Sequence, residues 1–421
     1  MYLIPYILRA KLRQGLFYQI LRQLVATLLK TYFRKIYVIG RDNIPLDKPV
    51  ILASNHPMAF CDACILACFT ERPLHFLVRG DVFKSRWKWF FKMTNQIPIY
   101  RFRDGFSNMR KNQQSFELTY EVLAEKKVLL IFSEGNTRLQ KKLFPLQKGT
   151  ARLAFGAWES QALDETVIVP VGINYSDGTS FRSDVQISIG KELEIKTYLA
   201  AYRTDAVSAM QNFTKELGKH LASHVIHLEG PKRTELFNQV TQNDTLPQDQ
   251  AYWPIVDFDH KRFDAEMKLS QALNTADDSQ IKKILLEWRQ SFDGNQKQPK
   301  SPLKVVQFMI LFLTGPIALG GYILNAIPFY LAKYVATEKV EKVEFQTPVR
   351  LGLLLIFYLL YSLLVVVISW QFLDGYALLL ITILPLTGYS TIVWWEWKRG
   401  LRIDKDAAKS ALRIEQLLSG T

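Results

Sequence analysis

The sequence predicts an α/β fold: a mixed, mostly parallel sheet flanked by helices, preceded by an interfacial helix and followed by a helical membrane region. Three observations carry this expectation. Between residues 35 and 195 short β-rich apolar runs alternate with helix-like runs. The first 40 residues hold seven Lys and Arg and no acid on an apolar background. After about residue 300 the composition shifts to long runs almost free of charge.

In residues 1–34, Leu16, Ile20, Leu24 and Leu28 form one apolar stripe, with Arg22 and Lys30 set off it. Gln19, Arg22 and Gln23 interrupt the apolar run, so the segment is too short to span. The pattern suits a helix lying against anionic headgroups; packing on the soluble domain is the alternative. Residues 35–225 then read as the α/β domain. Its strands are "KIYVIG", "PVILASNH", "LHFLVRG", "QIPIYR", "KVLLIFSEG", "TVIVPVGINYS" and "DVQISIGKELEI", and its helices cover about 59–70, 82–94, 106–126 and 148–159. Functional sites in such domains sit in the loops beyond the strand ends.

Residues 226–303 read as a polar helical accessory region. "QNDTLPQDQAYWP" is expected as a loop, and Ile281, Ile284, Leu285, Trp288 and Phe292 as a helix stripe. Residues 304–397 are the membrane region, with spans expected at 351–370 and 376–396 and Trp370, Trp394, Trp395 and Trp397 near their ends. The preceding run is interrupted by Gly315, Pro316, Gly320, Gly321 and Pro328, which predicts a re-entrant, hairpin or interface-buried element. Lys297, Lys300 and Lys304 precede this region, and Lys398, Arg399, Arg402, Lys405, Lys409 and Arg413 open the basic tail at 398–421. Both flanks, and with them the α/β domain, are therefore expected on the cytoplasmic face.

The formal charge of +14 fits nucleic acid, anionic lipid or a phosphorylated substrate. The apolar runs decide for membrane lipid and against nucleic acid. "VFKSRWKWFFK" mixes bases with aromatics and suits the headgroup layer, the mouth of an apolar tunnel, or the core. Cys61, Cys64 and Cys68 have no second Cys pair to complete a zinc site and read as small apolar side chains. His220, His224 and His227 share a helix face, which metal ligands could use; a solvated or interface face explains them better than a metal. No cofactor or metal is expected.

The chemistry concentrates in "SNHPMAFCD". Pro57 keeps His56 out of the helical region. Continuous helix would turn His56 and Asp62 about 240° apart; a turn at the histidine lets them meet. Asp62 then holds one ring nitrogen of His56 and frees the other as a general base. Arg101 and Arg103 follow a strand end, where guanidinium clamps phosphate. Glu134-Gly135, Arg138 and Lys148 follow another, with Lys148 opening a helix, and Pro170 and Gly172 lie in a fourth. "GxSxG", "GxGxxG" and "GxxxxGK[ST]" do not occur, which argues against a serine hydrolase and the common nucleotide sites.

Four ordered blocks, at 55–62, 97–101, 132–138 and 168–173, resemble the glycerolipid acyltransferase family, which includes glycerol-3-phosphate and lysophosphatidate acyltransferases. The hydrophobic C-terminal third resembles a bacterial branch related to fungal glycerol-3-phosphate acyltransferases. Two departures stand out. Five residues rather than four separate His56 from Asp62, and the third block reads Glu-Gly-Asn-Thr-Arg rather than Glu-Gly-Thr-Arg.

The resemblance implies a membrane-bound O-acyltransferase that moves a fatty acyl group from acyl-CoA or acyl-carrier protein to a hydroxyl of glycerol-3-phosphate. His56 would deprotonate the acceptor and Asp62 orient His56. Arg101 would bind the acceptor phosphate, helped by Arg138 or Lys148. Glu134 and Gly135 would shape the acceptor pocket, and Pro170 would help position the donor. Lysophosphatidate, another lysolipid or dihydroxyacetone phosphate are alternative acceptors. A non-catalytic membrane adaptor with a retained acyltransferase domain is the reading from another class.

Overall fold

The computed structural model describes residues 3–83, 85–100, 106–242, 255–277, 280, 281, 283 and 302–400. Among these residues, nine strands form one sheet in the order β4-β3-β5-β2-β6-β7-β1-β9, with β8 also pairing β6. In chain order they are β1 (Lys35–Ile39), β2 (Val50–Ser54), β3 (Leu74–Arg79), β4 (Gln96–Ile99), β5 (Val128–Phe132), β6 (Val167–Tyr175), β7 (Asp184–Ile189), β8 (Leu193–Glu194) and β9 (Val256–Asp257). β6 runs antiparallel to β7 and β8; the other pairs are parallel.

The all-buried run Val-Ile-Leu-Ala-Ser of β2 is what a strand covered on both faces requires. Val50 and Leu52 face α2 (Ala59–Phe69) and the inner side of α1 (Leu3–Tyr32), which brings Leu29 and Tyr32. Ile51 and Ala53 face α5 (Gly149–Gln161) and α7 (Ala206–Ala222), through Ala154, Phe155, Phe213 and Leu217. A single strand's alternation thus builds two cores.

α1 divides as its sequence demands. Tyr18, Ala26, Leu29 and Tyr32 are buried on the domain, whereas Leu16 and Ile20 are more than 60% exposed. Packing on the domain therefore holds for one face, and the apolar residues of the other are left exposed. The three cysteines are free and lie on α2, with Cys61 buried and Cys64 and Cys68 packed beside the core.

Several expectations need correction. "DVQISIGKELEI" is two strands, β7 ending at Ile189 and β8 pairing the start of β6 after a turn that holds Gly190 against His224. β9 is two residues long, too short to leave a periodic signal. The helix expected at 82–94 is instead a turn of 3-10 helix, Ser85–Trp87, followed by α3 (Lys88–Met93). Its Trp87 and Trp89 are about half exposed rather than core. α4 (Phe106–Ala124) and α6 (Leu199–Thr204) complete the helices of the domain.

In the accessory region, α8 (Pro231–Gln242) and α9 (Lys261–Thr275) share a small core to which Ile281 contributes. The loop expected at 242–254 lies outside the described residues from 243 onward, as do Ile284, Leu285, Trp288 and Phe292.

A buried ion network ties α9 to the sheet. The Asp184 carboxylate accepts from Arg34 Nε at 2.9 Å and from Arg262, and Arg262 Nε reaches Glu266 at 2.8 Å. Burial lifts the Asp184 carboxyl, but Arg262 and Arg34 outweigh it and hold the group well below the usual carboxylate range. The unfolded chain then binds the proton first, so this stabilisation is complete above the ordinary value of 3.8 and drains away as pH falls below it. Asp184→Asn is expected to lose about 3 kcal/mol at neutral pH, because buried Arg262 keeps only Glu266 as its anion and Arg34, a third exposed, loses its bond to the carboxylate. Denaturation across a pH series should also show a flatter acid limb for that variant than for wild type.

The C-terminal region consists of α10 (Pro302–Lys339), α11 (Val343–Leu373) and α12 (Leu380–Gly400). By length and composition, 309–339 and 343–398 qualify as membrane-crossing; only 17% of either apolar window is buried, unlike the core helix of a soluble protein. The segment expected to break at its glycines and prolines is one continuous helix, Pro316 and Pro328 included. Its glycines admit α12: a Cβ on Gly321 would meet the Thr387 carbonyl at 2.3 Å. Thr391 Oγ1 donates to Ala318 O at 2.9 Å and Trp394 Nε1 to Leu311 O at 2.8 Å, contacts that close approach permits. Gly321→Ala must push the two helices apart, at an expected cost of about 1–3 kcal/mol. Thermal unfolding in detergent would measure it.

The turn between β6 and β7 seats the domain on these helices. Arg182 Nη1 donates to the carbonyls of Thr31 (2.9 Å) and Phe33 (2.6 Å), and its Nε pairs with Glu396 at 2.5 Å. From α11, Thr347 Oγ1 reaches Gly178 O at 2.7 Å, and Arg350 Nη1 reaches Thr179 O at 2.9 Å.

Candidate active site

The site forms where β2, β5 and β6 end side by side. Past Ser54, the Asn55 amide pairs with both backbone groups of Ile173, donating to its carbonyl at 3.0 Å and accepting its N–H at 2.8 Å. That pairing extends the β2–β6 register with a side chain, so the main chain is free to turn at His56. Pro57 blocks immediate helix formation. Met58 (φ −137°) and Ala59 (φ +40°) complete the turn, and α2 starts with Asp62 in its first turn.

The turn brings the two side chains together. His56 Nδ1 lies 2.9 Å from Asp62 Oδ2, which also accepts the Met58 N–H at 2.8 Å. Asp62 Oδ1 accepts the Tyr175 hydroxyl at 2.7 Å. Asp62 is fully buried, and 17% of the His56 side chain is exposed. A carboxylate can only accept, so Nδ1 carries the proton and the Nε2 lone pair is left free. The imidazole stacks on Phe132, with centroids 3.7 Å apart and planes within 11°. Its orientation is therefore fixed by a ring on one side and a carboxylate at one edge.

Glu134 holds the backbone of this arrangement. Its Oε2 accepts the His56 N–H at 3.0 Å and its Oε1 the Phe144 N–H at 2.8 Å. Burial pushes its carboxyl up, while the Phe144 and His56 amides pull it back. Gly135, at φ +69°, makes the turn after β5, and its N–H returns to Phe132 O at 3.1 Å. The Arg138 N–H donates to His56 O at 3.1 Å, and its exposed guanidinium lies 4.4 Å over the Phe144 ring. Lys148 is exposed at the N-cap position of α5 and makes no side-chain capping hydrogen bond. A strand end, the Glu134 carboxylate and the Arg138 main chain therefore meet at His56.

Other expected site residues stand differently. Arg101 and Arg103 lie outside the described residues; just before them, Asn112 brackets Tyr100, accepting its N–H at 2.7 Å and donating to its carbonyl at 2.6 Å. Pro170 is buried in β6 opposite Ala53, and its Cγ faces Gly190, beside the His224 imidazole. Its carbonyl accepts the Gly190 N–H at 2.8 Å where the pairing with β7 ends, the point at which a strand can lack a donor. The described contacts do not bring it to His56.

The three histidines do not share a helix face, because α7 stops at Ala222. His224 Nδ1 meets Ser188 Oγ at 2.8 Å, and His227 meets Glu229 at 2.9 Å. Among the described residues no group of three or more His, Cys, Asp or Glu is placed to hold a metal ion. Sequence reasoning missed Tyr175 and the bridging role of Asn55. The available signals were an Asn directly before the histidine and a Tyr two residues past the fourth block.

With the fold and the His–Asp turn described, the chain can be set beside known proteins. Residues 35–174 match the family model described as Acyltransferase. Glycerol-3-phosphate O-acyltransferase 1 of Saccharomyces cerevisiae is 33% identical over 86 residues, which are 20% of this chain and 11% of the yeast protein. A 1-acyl-sn-glycerol-3-phosphate acyltransferase of Chlamydomonas reinhardtii is 34% identical over 127 residues, 29% of this chain and 35% of the algal protein. The chain thus aligns with about a tenth to a third of the length of these curated relatives. The crystal structure of the 1-acyl-sn-glycerophosphate acyltransferase of Thermotoga maritima superposes with a TM-score of 0.37 and 15% identity, covering 50% of this chain and 80% of that one.

Proposed function

We propose that the protein is a membrane-bound O-acyltransferase that transfers a fatty acyl group from an acyl thioester to a hydroxyl of glycerol-3-phosphate. The observation that carries this reading is the 2.9 Å contact between His56 Nδ1 and the buried Asp62, with the ring left partly exposed. Nε2 takes the acceptor's hydroxyl proton as the oxygen attacks the thioester carbonyl. The C–O bond forms, the C–S bond breaks, and the proton passes from the imidazolium to the departing thiolate. Asp62 supports the imidazolium while it exists. No acyl-enzyme is needed.

The acceptor phosphate would be held by Arg101 together with Arg138 or Lys148, beside the N-terminus of α5. The thioester would come from acyl-CoA or acyl-carrier protein. Lipid would surround α10–α12 and meet the exposed Leu16, Ile20 and Leu24 face of α1. The Lys and Arg flanks favour placing the α/β domain on the cytoplasmic side.

Labelled acyl-CoA offered to membranes containing the protein, with glycerol-3-phosphate, dihydroxyacetone phosphate or lysophosphatidate in parallel arms, tests the reading. Product is expected with glycerol-3-phosphate. Preference for lysophosphatidate, the acceptor class of the algal relative, would move the assignment within the family. Silence in every arm, repeated with acyl-carrier-protein donor, would favour a non-catalytic adaptor.

A further inference from the structure

Tyr175 ends β6 in the interior, 6% exposed, with its hydroxyl on Asp62 Oδ1. Three donors therefore surround one carboxylate: the imidazole, the Met58 amide and this phenol. A fully buried carboxylate needs such donors, and their directions fix where its oxygens lie. We infer that Tyr175 is a positioning residue for the transfer reaction: its hydroxyl holds the carboxylate that in turn orients the base. The inference rests on the acyl-transfer reading of the same site.

Tyr175 is itself held at both ends. Its ring lies 5.9 Å from that of Phe33, and its carbonyl accepts Lys141 Nζ from the loop that follows Gly135. The main chain of Lys141 accepts the Leu228 N–H at 2.9 Å, so the accessory region braces the same loop. The groups facing this cluster are Cys61 and Cys64 of α2, Glu134 after β5, and Lys141. Burial, then the Asp62 charge, pushes both thiols up, Cys64 to about 11, so they stay neutral through the working range. Burial lowers Lys141 to about 8, so its titration belongs to the basic limb of any pH profile.

Tyr175→Phe removes only the O–H and keeps the ring on Phe33. Without that donor Asp62 carries more of its charge toward the imidazole, which favours the imidazolium. kcat is expected to fall about 10- to 100-fold with the acceptor KM within roughly twofold, and the acidic limb of the pH–rate profile to move to higher pH. An unchanged kcat and profile in an active enzyme would overturn the inference, and so would a kcat loss without movement of the acidic limb. A wild-type protein that transfers no acyl group would remove the proposed function itself, a distinct outcome. If the phenylalanine variant does not accumulate, a fluorinated tyrosine at 175 serves instead, being a stronger donor of nearly the same shape. It should move the acidic limb to lower pH, and a limb that stays in place overturns the inference.

Discussion

His56→Ala should abolish acyl transfer, lowering kcat by about 10³- to 10⁴-fold while leaving the fold intact. On the proposed reading the ring is the base, and it lies at the edge of the core against Phe132, so unfolding midpoints should fall only modestly. Its loss leaves Asp62 buried with two of its three donors, the Met58 amide and the Tyr175 hydroxyl. The carboxylate therefore remains partly satisfied. Radiolabelled product formation beside a detergent melting curve measures both halves. A variant that keeps more than about a tenth of the activity would refute His56 as the base.

Glu134→Gln should lower activity by about 10- to 100-fold although the side chain is nearly isosteric. The carboxylate accepts two backbone amides, one on each oxygen. An amide side chain can accept only one of them, and its NH₂ then opposes the other N–H. Either His56 or Phe144 loses its anchor. Burial raises the Glu134 carboxyl, so the folded state binds its proton more readily than the unfolded chain, and this group lowers stability as pH rises through its range. Glutamine removes that term. The variant should be no less stable at neutral pH than in mild acid, while its turnover stays impaired at both; parallel melts and assays at the two pH values would show it.

The α/β order was legible because apolar runs a few residues long alternated with amphipathic ones. The His56–Asp62 turn was legible from Pro57 alone. Other features left weak traces. β9 has two residues, and its place at the sheet edge is set by pairing with β1, a long-range contact invisible to local pattern. The glycines and prolines of α10 looked like breaks, because sequence cannot show that Thr387 backs onto Gly321. Glu134 read as a pocket residue; that its carboxylate clamps two main-chain amides left no local trace. Tyr175 lies 113 positions from Asp62, so only the closed sheet reveals their bond.

The Arg182 and Arg350 guanidinium groups lie in the seam between the α/β domain and the apolar helices: Arg182, in the segment just beyond Tyr175, reaches Glu396 and the Thr31 and Phe33 carbonyls, and Arg350 reaches Thr179 of that segment. The apolar helices are consequently no detachable tether. Cutting the chain ahead of residue 302 would strip Thr347, Arg350 and Glu396 from that segment at once, leaving Arg182 without its counterion beside the strand that steadies the carboxylate. A shortened enzyme would then falter in its chemistry as well as in its attachment to lipid, which is why reconstitution should begin with the whole polypeptide.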